Sequence, residues 1–454
     1  MSDSKNYLED VRDQYEDYPY PKRDPEDEKH RLFATAADPL DWINYYCYEG
    51  RKDYSAGFRV LVAGGGTGDS VIFLAEQLLE YNADIVYLDI STTSMAVARQ
   101  RAKIRGLTNI TWINESILNI PGLDLGMFDY INCTGVLHHL ENPYEGLTAL
   151  RSVLKDDGAM MLMLYATYGR TGIYHIQDIM RLVNRGVTSN PEKVDNCKRI
   201  LNSLPPTNWM VANKGLYGAE ISEFGDIGIY DLFLHTQDRS YTVPELYEFI
   251  ESADLNILQL FASHEPRGNR LYDPLSYISD SGIRERVRKL PLKEQQTIAE
   301  LLHGRINKHM FYVTPTIPKR PVLEDLDNIP FLSVAYNEQA YDYFHELVKN
   351  SHDTVEIQSR EVKNKKIKFP KTRYTVDIFK YLDGKRSSRE IFSEVINNHS
   401  GGEPPAEMDL LQELHNIFDA FNTQNWMLLR AKSVRPFTTI EDLQKNSINR
   451  QAGC

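Results

Sequence analysis

Five residues constrain this chain more than any others. Gly64-Gly65-Gly66-Thr67-Gly68 follows the apolar run FRVLVA (58–63) and precedes DSVIFLAEQLLEY, where Val71, Leu74, Ala75, Leu78 and Leu79 recur at helical spacing. The first run predicts a buried strand and the second a helix, so the glycines sit at a strand-to-helix turn. Gly64, Gly66 and Gly68 give the spacing G-x-G-x-G. Without Cβ atoms the backbone turns tightly there and approaches a ligand closely. The helix start that follows offers N–H groups and a partial positive charge.

A second run, ADIVYLDIS, ends in Asp89 and Ile90, with Asp89 21 residues beyond Gly68. An acidic side chain at that place bonds ribose hydroxyls in Rossmann-type sites. The alternative is that Asp89 only caps the helix starting near Thr92, a task open to Ser91 as well. A dinucleotide loop, G-x-G-x-x-G, needs glycine at 69, where this chain has Asp69. A carboxylate there repels a diphosphate but attracts the sulfonium and ammonium of S-adenosylmethionine (SAM).

Residues 1–56 read as a helical, aromatic-rich N-terminal lid segment. From 57 to 315 short apolar runs alternate with helical patterns, with a helical insertion at about 166–255. Such alternation predicts βαβ units around a parallel sheet. The segment PTIPKRP (315–321) stops regular structure and marks a domain boundary. Residues 322–454 read as a mainly helical accessory domain. Because the sheet lies before it, 1–315 is expected to fold and bind its ligand alone.

Five stretches carry a resemblance. VLVAGGGTGDS resembles the first motif of class I SAM-dependent methyltransferases, and YLDIS the second. WINESIL places Glu115 and Ser116 at the positions that contact adenine in that family. FDYINCTGVLHHLENP resembles the fourth-strand motif, and KDDGAMMLMLYA the fifth strand. The resemblance implies an α/β fold: a Rossmann-like, mostly parallel seven-stranded sheet with an N-terminal helical lid. It also implies SAM as cofactor, held by Gly64, Gly65, Gly66, Gly68, Asp69, Asp89, Ile90, Glu115, Ser116, Thr134 and Gly135. The family's acidic residue before the first glycine is Ala63 here, so Asp69 becomes the candidate for the methionine ammonium.

Candidate catalytic groups come from three segments. CTGVLHHL supplies His138 as a base or orienting group, with His139 read as packing against the core. DYPYP supplies Tyr18 and Tyr20, beside Tyr15, either to align an acceptor amine or to staple domains together. IYDLFLHTQDRSYTVPELYEF supplies His235 within a polar cluster of Asp231, Gln237, Asp238 and Arg239. Methyl transfer needs alignment above all, so a strong base is optional.

The acceptor is open from sequence. The last of these segments resembles a region of bacterial methyltransferases with an appended regulatory domain, some of which methylate protein lysines. That implies a nitrogen acceptor, a protein lysine side chain. The alternatives are a small-molecule N- or O-methyltransferase of secondary metabolism, and a degenerate methyltransferase fold used as a binding module. Residues 374–431 resemble a winged helix, but the helix within 407–421 is acidic and apolar. With a net charge of −13, this argues against nucleic acid. Substrate-protein docking or homodimer formation through this domain fits better. No run reaches the ~18 apolar residues of a membrane span. The four scattered cysteines show neither metal-ligand spacing nor a disulfide pattern, which predicts no metal and a cytoplasmic setting.

Overall fold

Strand formation follows the apolar runs. The computed structural model describes residues 9–212, 218, 221–261, 268–358, 366–400 and 403–452. β1 (Phe58–Ala63), β2 (Ala83–Asp89), β3 (Ile110–Asn114), β4 (Phe128–Thr134) and β5 (Leu154–Ala166) pair in parallel. β1 and β4 are buried along nearly their whole length, as parallel strands covered on both faces must be. β7 (Asn256–Phe261) and β8 (Lys308–Thr314) complete the sheet, with β8 antiparallel to both β5 and β7. The order is β3-β2-β1-β4-β5-β8-β7, and the two-residue β6 (Ser240–Tyr241) pairs with β5 off this path. This is the expected Rossmann-like, mostly parallel sheet of seven strands. Strand order reverses between β1 and β4, which opens a crevice at their C-terminal ends.

Helices cover the sheet. α1 (Glu9–Asp17), α2 (Leu40–Cys47), α3 (Asp69–Leu78), α4 (Thr92–Arg105) and α5 (Pro143–Ser152) come first. The insertion contributes helices Thr171–Val183, Asn190–Asn202 and Asp226–Phe233, which share a small core around Ile176, Met180, Cys197 and Phe233. Among the described residues, no helix is long and apolar enough to cross a membrane.

The C-terminal region pairs β9 (Ile329–Leu332) with β12 (Met427–Arg430) and forms a hairpin of β10 (Thr354–Gln358) and β11 (Lys366–Pro370). A lysine-rich stretch, KNKKIKFPK at 363–371, falls partly on β11; 363–365 lie outside the described residues. Ser387 caps its helix in a capping box with Glu390. The hairpin stands before helices Thr375–Tyr381, Ser388–Asn397 and Glu407–Asn422, not after them. The apolar face of Glu407–Asn422 (Leu410, Leu414, Ile417, Phe421) is spent on the core.

The boundary at 315–321 falls in irregular chain, and apolar packing continues across it. One continuous cluster runs from Tyr46, Phe261 and Tyr312 to Phe331, Phe421 and Met427. Trp42 Nε1 donates to Ser333 Oγ at 3.1 Å, and Val334 N to Asp41 Oδ2 at 3.0 Å. At the junction Ala431 N donates to Gly50 O at 2.8 Å. Gly50 has φ +67°, and a Cβ on it would stand 2.9 Å from the Leu429 carbonyl oxygen. Only glycine allows this approach.

Candidate active site

The glycine loop is folded around its own amides. Gly64 N and Gly65 N donate to Leu88 O at 2.7 and 3.2 Å, and Gly66 N donates to Asp89 Oδ2 at 2.8 Å. Thr67 N reaches Tyr20 O at 3.4 Å, and Gly68 N reaches Gly65 O at 3.0 Å. All five loop amides are therefore committed. Gly66 lies beneath the N-terminal segment, where a Cβ would stand 2.8 Å from Tyr20 O. A diphosphate needs such amides unspent. Here they face a buried carboxylate and the carbonyls of Leu88, Tyr20 and Gly65 instead.

Asp89 sits at the end of β2, buried, with Oδ1 accepting from Ser91 N at 2.8 Å. Burial pushes its pKa up to about 6. Ser91, not Asp89, caps α4, its Oγ accepting from Ser94 N at 3.0 Å. At the next strand end Glu115 Oε1 accepts from Ser116 N at 2.7 Å and Asn119 Nδ2 at 2.9 Å. Ser116 caps the short turn Ile117–Gly122.

These groups border one cavity of about 920 Å³, near the top of the ~300–1,000 Å³ range of ligand sites. Gly64, Gly65, Gly66, Asp69, Asp89, Ile90, Glu115, Ser116, Thr134, Gly135 and Tyr20 line it. Gly68 does not; it packs against Ala98 of α4. Sequence reasoning missed Asn132, Tyr165, Arg170 and Lys308, which also line the cavity. Arg170 and Lys308 reach it from elements that only the closed sheet brings together, and no local pattern signals that.

Asp69 is corrected as the ammonium partner. Arg23 binds it through Nε at 2.9 Å and Nη2 at 2.7 Å, and Arg101 Nη1 binds it at 2.8 Å. Burial alone would raise its pKa, but these two guanidinium groups outweigh burial and hold it below the usual range. Both carboxylate oxygens are thus engaged by arginine where an ammonium partner was expected.

The catalytic candidates separate. Tyr18 stacks on Tyr230, ring centroids 4.8 Å apart, and stands outside the cavity lining; it is a staple onto the insertion. His138 is corrected too. It is fully buried behind the cavity wall, 3.9 Å from the Tyr165 ring, and both its ring nitrogens lack partners among the described residues. Its neighbour His139 lines the cavity instead. His235 stacks on His139 with centroids 3.8 Å apart and bonds Tyr15 Oη, which also lines the cavity. Burial pushes His139 down to about 4 and His235 well below its ordinary value, so both are neutral. Arg170, beside them, lies 3.4 Å over the Tyr165 ring and pairs with buried Asp238 at 3.2 Å. Asp231 lines the same end of the cavity.

Residues 61–160 match the model of a methyltransferase domain family. The chain carries a class I methyltransferase domain. SAM is the cofactor of that class, and a loop with committed amides beside a buried carboxylate fits it. The methyltransferase domain is 30% identical over 118 residues to the ubiquinone biosynthesis O-methyltransferase of Actinobacillus pleuropneumoniae, covering 25% of this chain and 47% of that one. An uncharacterized protein of Synechococcus sp. is 31% identical over 259 residues, 56% of this chain and 60% of its own length. The chain thus spans about half to three fifths of these two relatives. In fold, the chain is similar to PKMT2 from Rickettsia typhi, whose structure holds AdoHcy. The TM-score is 0.62 at 15% identity, covering 87% of this chain and 76% of that one.

Proposed function

We propose that the protein transfers the methyl group of SAM to a nucleophilic nitrogen, and that this nitrogen is a lysine side chain of a protein. The observation that carries methyl transfer is the cavity itself. It runs from Glu115 and Asp89, where adenosine would lie, to a separate end walled by Asp231, His139, Tyr15 and Tyr165. Asp89 would hold the ribose hydroxyls and Glu115 with Ser116 the adenine; the cofactor supplies an activated methyl group. Lysine is favoured by charge. Asp231, Glu141 and Glu145 line the cavity, and the chain's net charge of −13 steers a basic segment toward it. Burial also favours the neutral, nucleophilic amine. The second reading, a small hydroxylated aromatic acceptor, is favoured by the neutral histidines and the Tyr165 wall.

Calorimetry of the full-length chain should show binding of SAM and none of NAD. Tritiated SAM, offered with a lysine-rich basic protein and with a catechol, should label the protein amine. Binding of NAD alone would sink the cofactor reading; label appearing only on the catechol would put the second reading first.

Asp89 also sets a pH dependence. Its cofactor-free pKa, about 6, lies above the ~3.9 of an unfolded aspartate, so between those values the free folded protein holds a proton the unfolded chain lacks. This group's contribution to free-protein stability therefore falls as pH rises from about 4 to 6. Ribose hydroxyls favour the charged form. The SAM dissociation constant should be flat above pH 6 and rise toward ~10-fold per unit below it. A flat titration from pH 5 to 7.5 removes Asp89 from the ribose contact.

A further inference from the structure

The backbone of one residue, Gln237, fixes how the two stacked histidines carry their hydrogens. The Gln237 carbonyl accepts from His139 Nδ1 at 2.8 Å. A carbonyl cannot donate, so His139 Nδ1 bears the hydrogen. The Gln237 amide donates to His235 Nδ1 at 3.2 Å, so that nitrogen bears none. A neutral imidazole has one donor and one acceptor nitrogen. His139 therefore has a bare Nε2, and His235 has an Nε2–H. His235 Nε2 lies 3.3 Å from Tyr15 Oη, so the hydroxyl oxygen accepts and its own hydrogen is left to donate elsewhere.

The two tautomers are opposite although the rings are nearly parallel, 20° apart in plane. The consequence is a matched pair at the cavity wall. His139 Nε2 is a proton acceptor with no hydrogen-bond partner among the described residues, and Tyr15 is a proton donor; both residues line the cavity. The charged groups nearby, Arg170 and Asp238, are paired to each other. Neither takes Nε2.

We propose, resting on the methyl-transfer reading, that His139 Nε2 accepts the proton of the incoming nucleophile while the Tyr15 hydroxyl orients that nucleophile. In this step the nucleophile–carbon bond forms and the carbon–sulfur bond breaks, with sulfur keeping the electron pair. The nucleophile's proton passes to His139 Nε2, and solvent takes it after product leaves. One positive charge is lost at sulfur as one appears on the imidazole, so the net charge of the buried chamber does not change. The ring that burial keeps neutral in the free protein is thus not asked to add charge to the chamber. Its Nδ1–H bond to Gln237 strengthens when the ring becomes cationic. Gln237 is a positioning residue, acting through its backbone.

Long-range 1H–15N spectra of the full-length protein, labelled in histidine and bound to S-adenosylhomocysteine, read the tautomers directly. His139→Gln and His235→Gln assign the signals. The expected result at pH 7 is Nδ1–H for His139 and Nε2–H for His235; Nε2–H on His139, or a charged ring, overturns the proposal. On the probe that wild type methylates, lysine-rich protein or catechol, His139→Gln should lower kcat by ~100-fold or more while the SAM dissociation constant stays within about two-fold. Tyr15→Phe keeps the ring packing and should lower kcat several-fold. Unchanged kcat in both variants also overturns the proposal. Absence of SAM binding by wild type in calorimetry refutes the methyl-transfer reading instead, a result read separately from the tautomers.

Discussion

Asp89→Ala is expected to raise the SAM dissociation constant by about 30- to 700-fold, a loss of ~2–4 kcal/mol. Two effects add. The carboxylate would give up its bonds to the two ribose hydroxyls, and the loop would lose an anchor, because Asp89 Oδ2 is the acceptor of Gly66 N. Ser91 N loses its acceptor as well, though Ser91 keeps its own cap on α4. Asp89→Asn separates these effects. An amide oxygen still accepts from one of the two backbone N–H groups, so the loop is partly held while the charged acceptor is gone. It should bind SAM more tightly than the alanine variant and more weakly than wild type. Calorimetry together with far-ultraviolet circular dichroism checks both variants. An unchanged dissociation constant in a natively folded Asp89→Ala protein would leave Asp89 as a loop anchor only.

The glycine-loop half of the cavity was legible because it is built from local signals. A buried strand must end in a turn, a turn this tight needs glycine, and the next strand end carries an acid at a set distance. Gly64, Gly66 and Asp89 meet in space because the parallel sheet aligns strand ends. The opposite half was only partly legible. His138 and His139 are neighbours on a single short turn, Leu137–His139, and one points to the core while the other borders the cavity. Nothing in LHHL distinguishes them; the choice is made by Tyr165 of β5 and by Gln237, 98 residues on from His139. Asp69 misled for a related reason. Its chemistry suits an ammonium, but Arg23 and Arg101 arrive from segments whose approach the sequence does not announce.

Cutting the chain at 315 is expected to abolish stable folding, although the fragment contains the whole sheet. The C-terminal region covers the sheet's flank. Phe331, Leu332, Phe421 and Met427 pack in the same cluster as Tyr46, Phe261 and Tyr312. Losing one large core side chain costs ~2–5 kcal/mol, and a domain is stable by only ~5–15 kcal/mol, so removing several at once exceeds the margin. A second link is ionic. Helix Ile440–Ala452 sends Arg450 to Glu76 and Gln444 to Arg105. Arg105 and Arg101 both grip buried Glu28, and Arg101 holds Thr67 O and Asp69 beside the glycine loop. The chain of pairs thus runs from the C-terminal helix to the start of α3 at the glycine loop. Size-exclusion chromatography and circular dichroism of 1–315 should show aggregation or loss of the native spectrum, whereas full-length protein should unfold in one transition seen alike by both regions. A monomeric 1–315 that binds SAM with wild-type affinity would mean that the C-terminal region only rests on the methyltransferase domain and supports neither its core nor its loop.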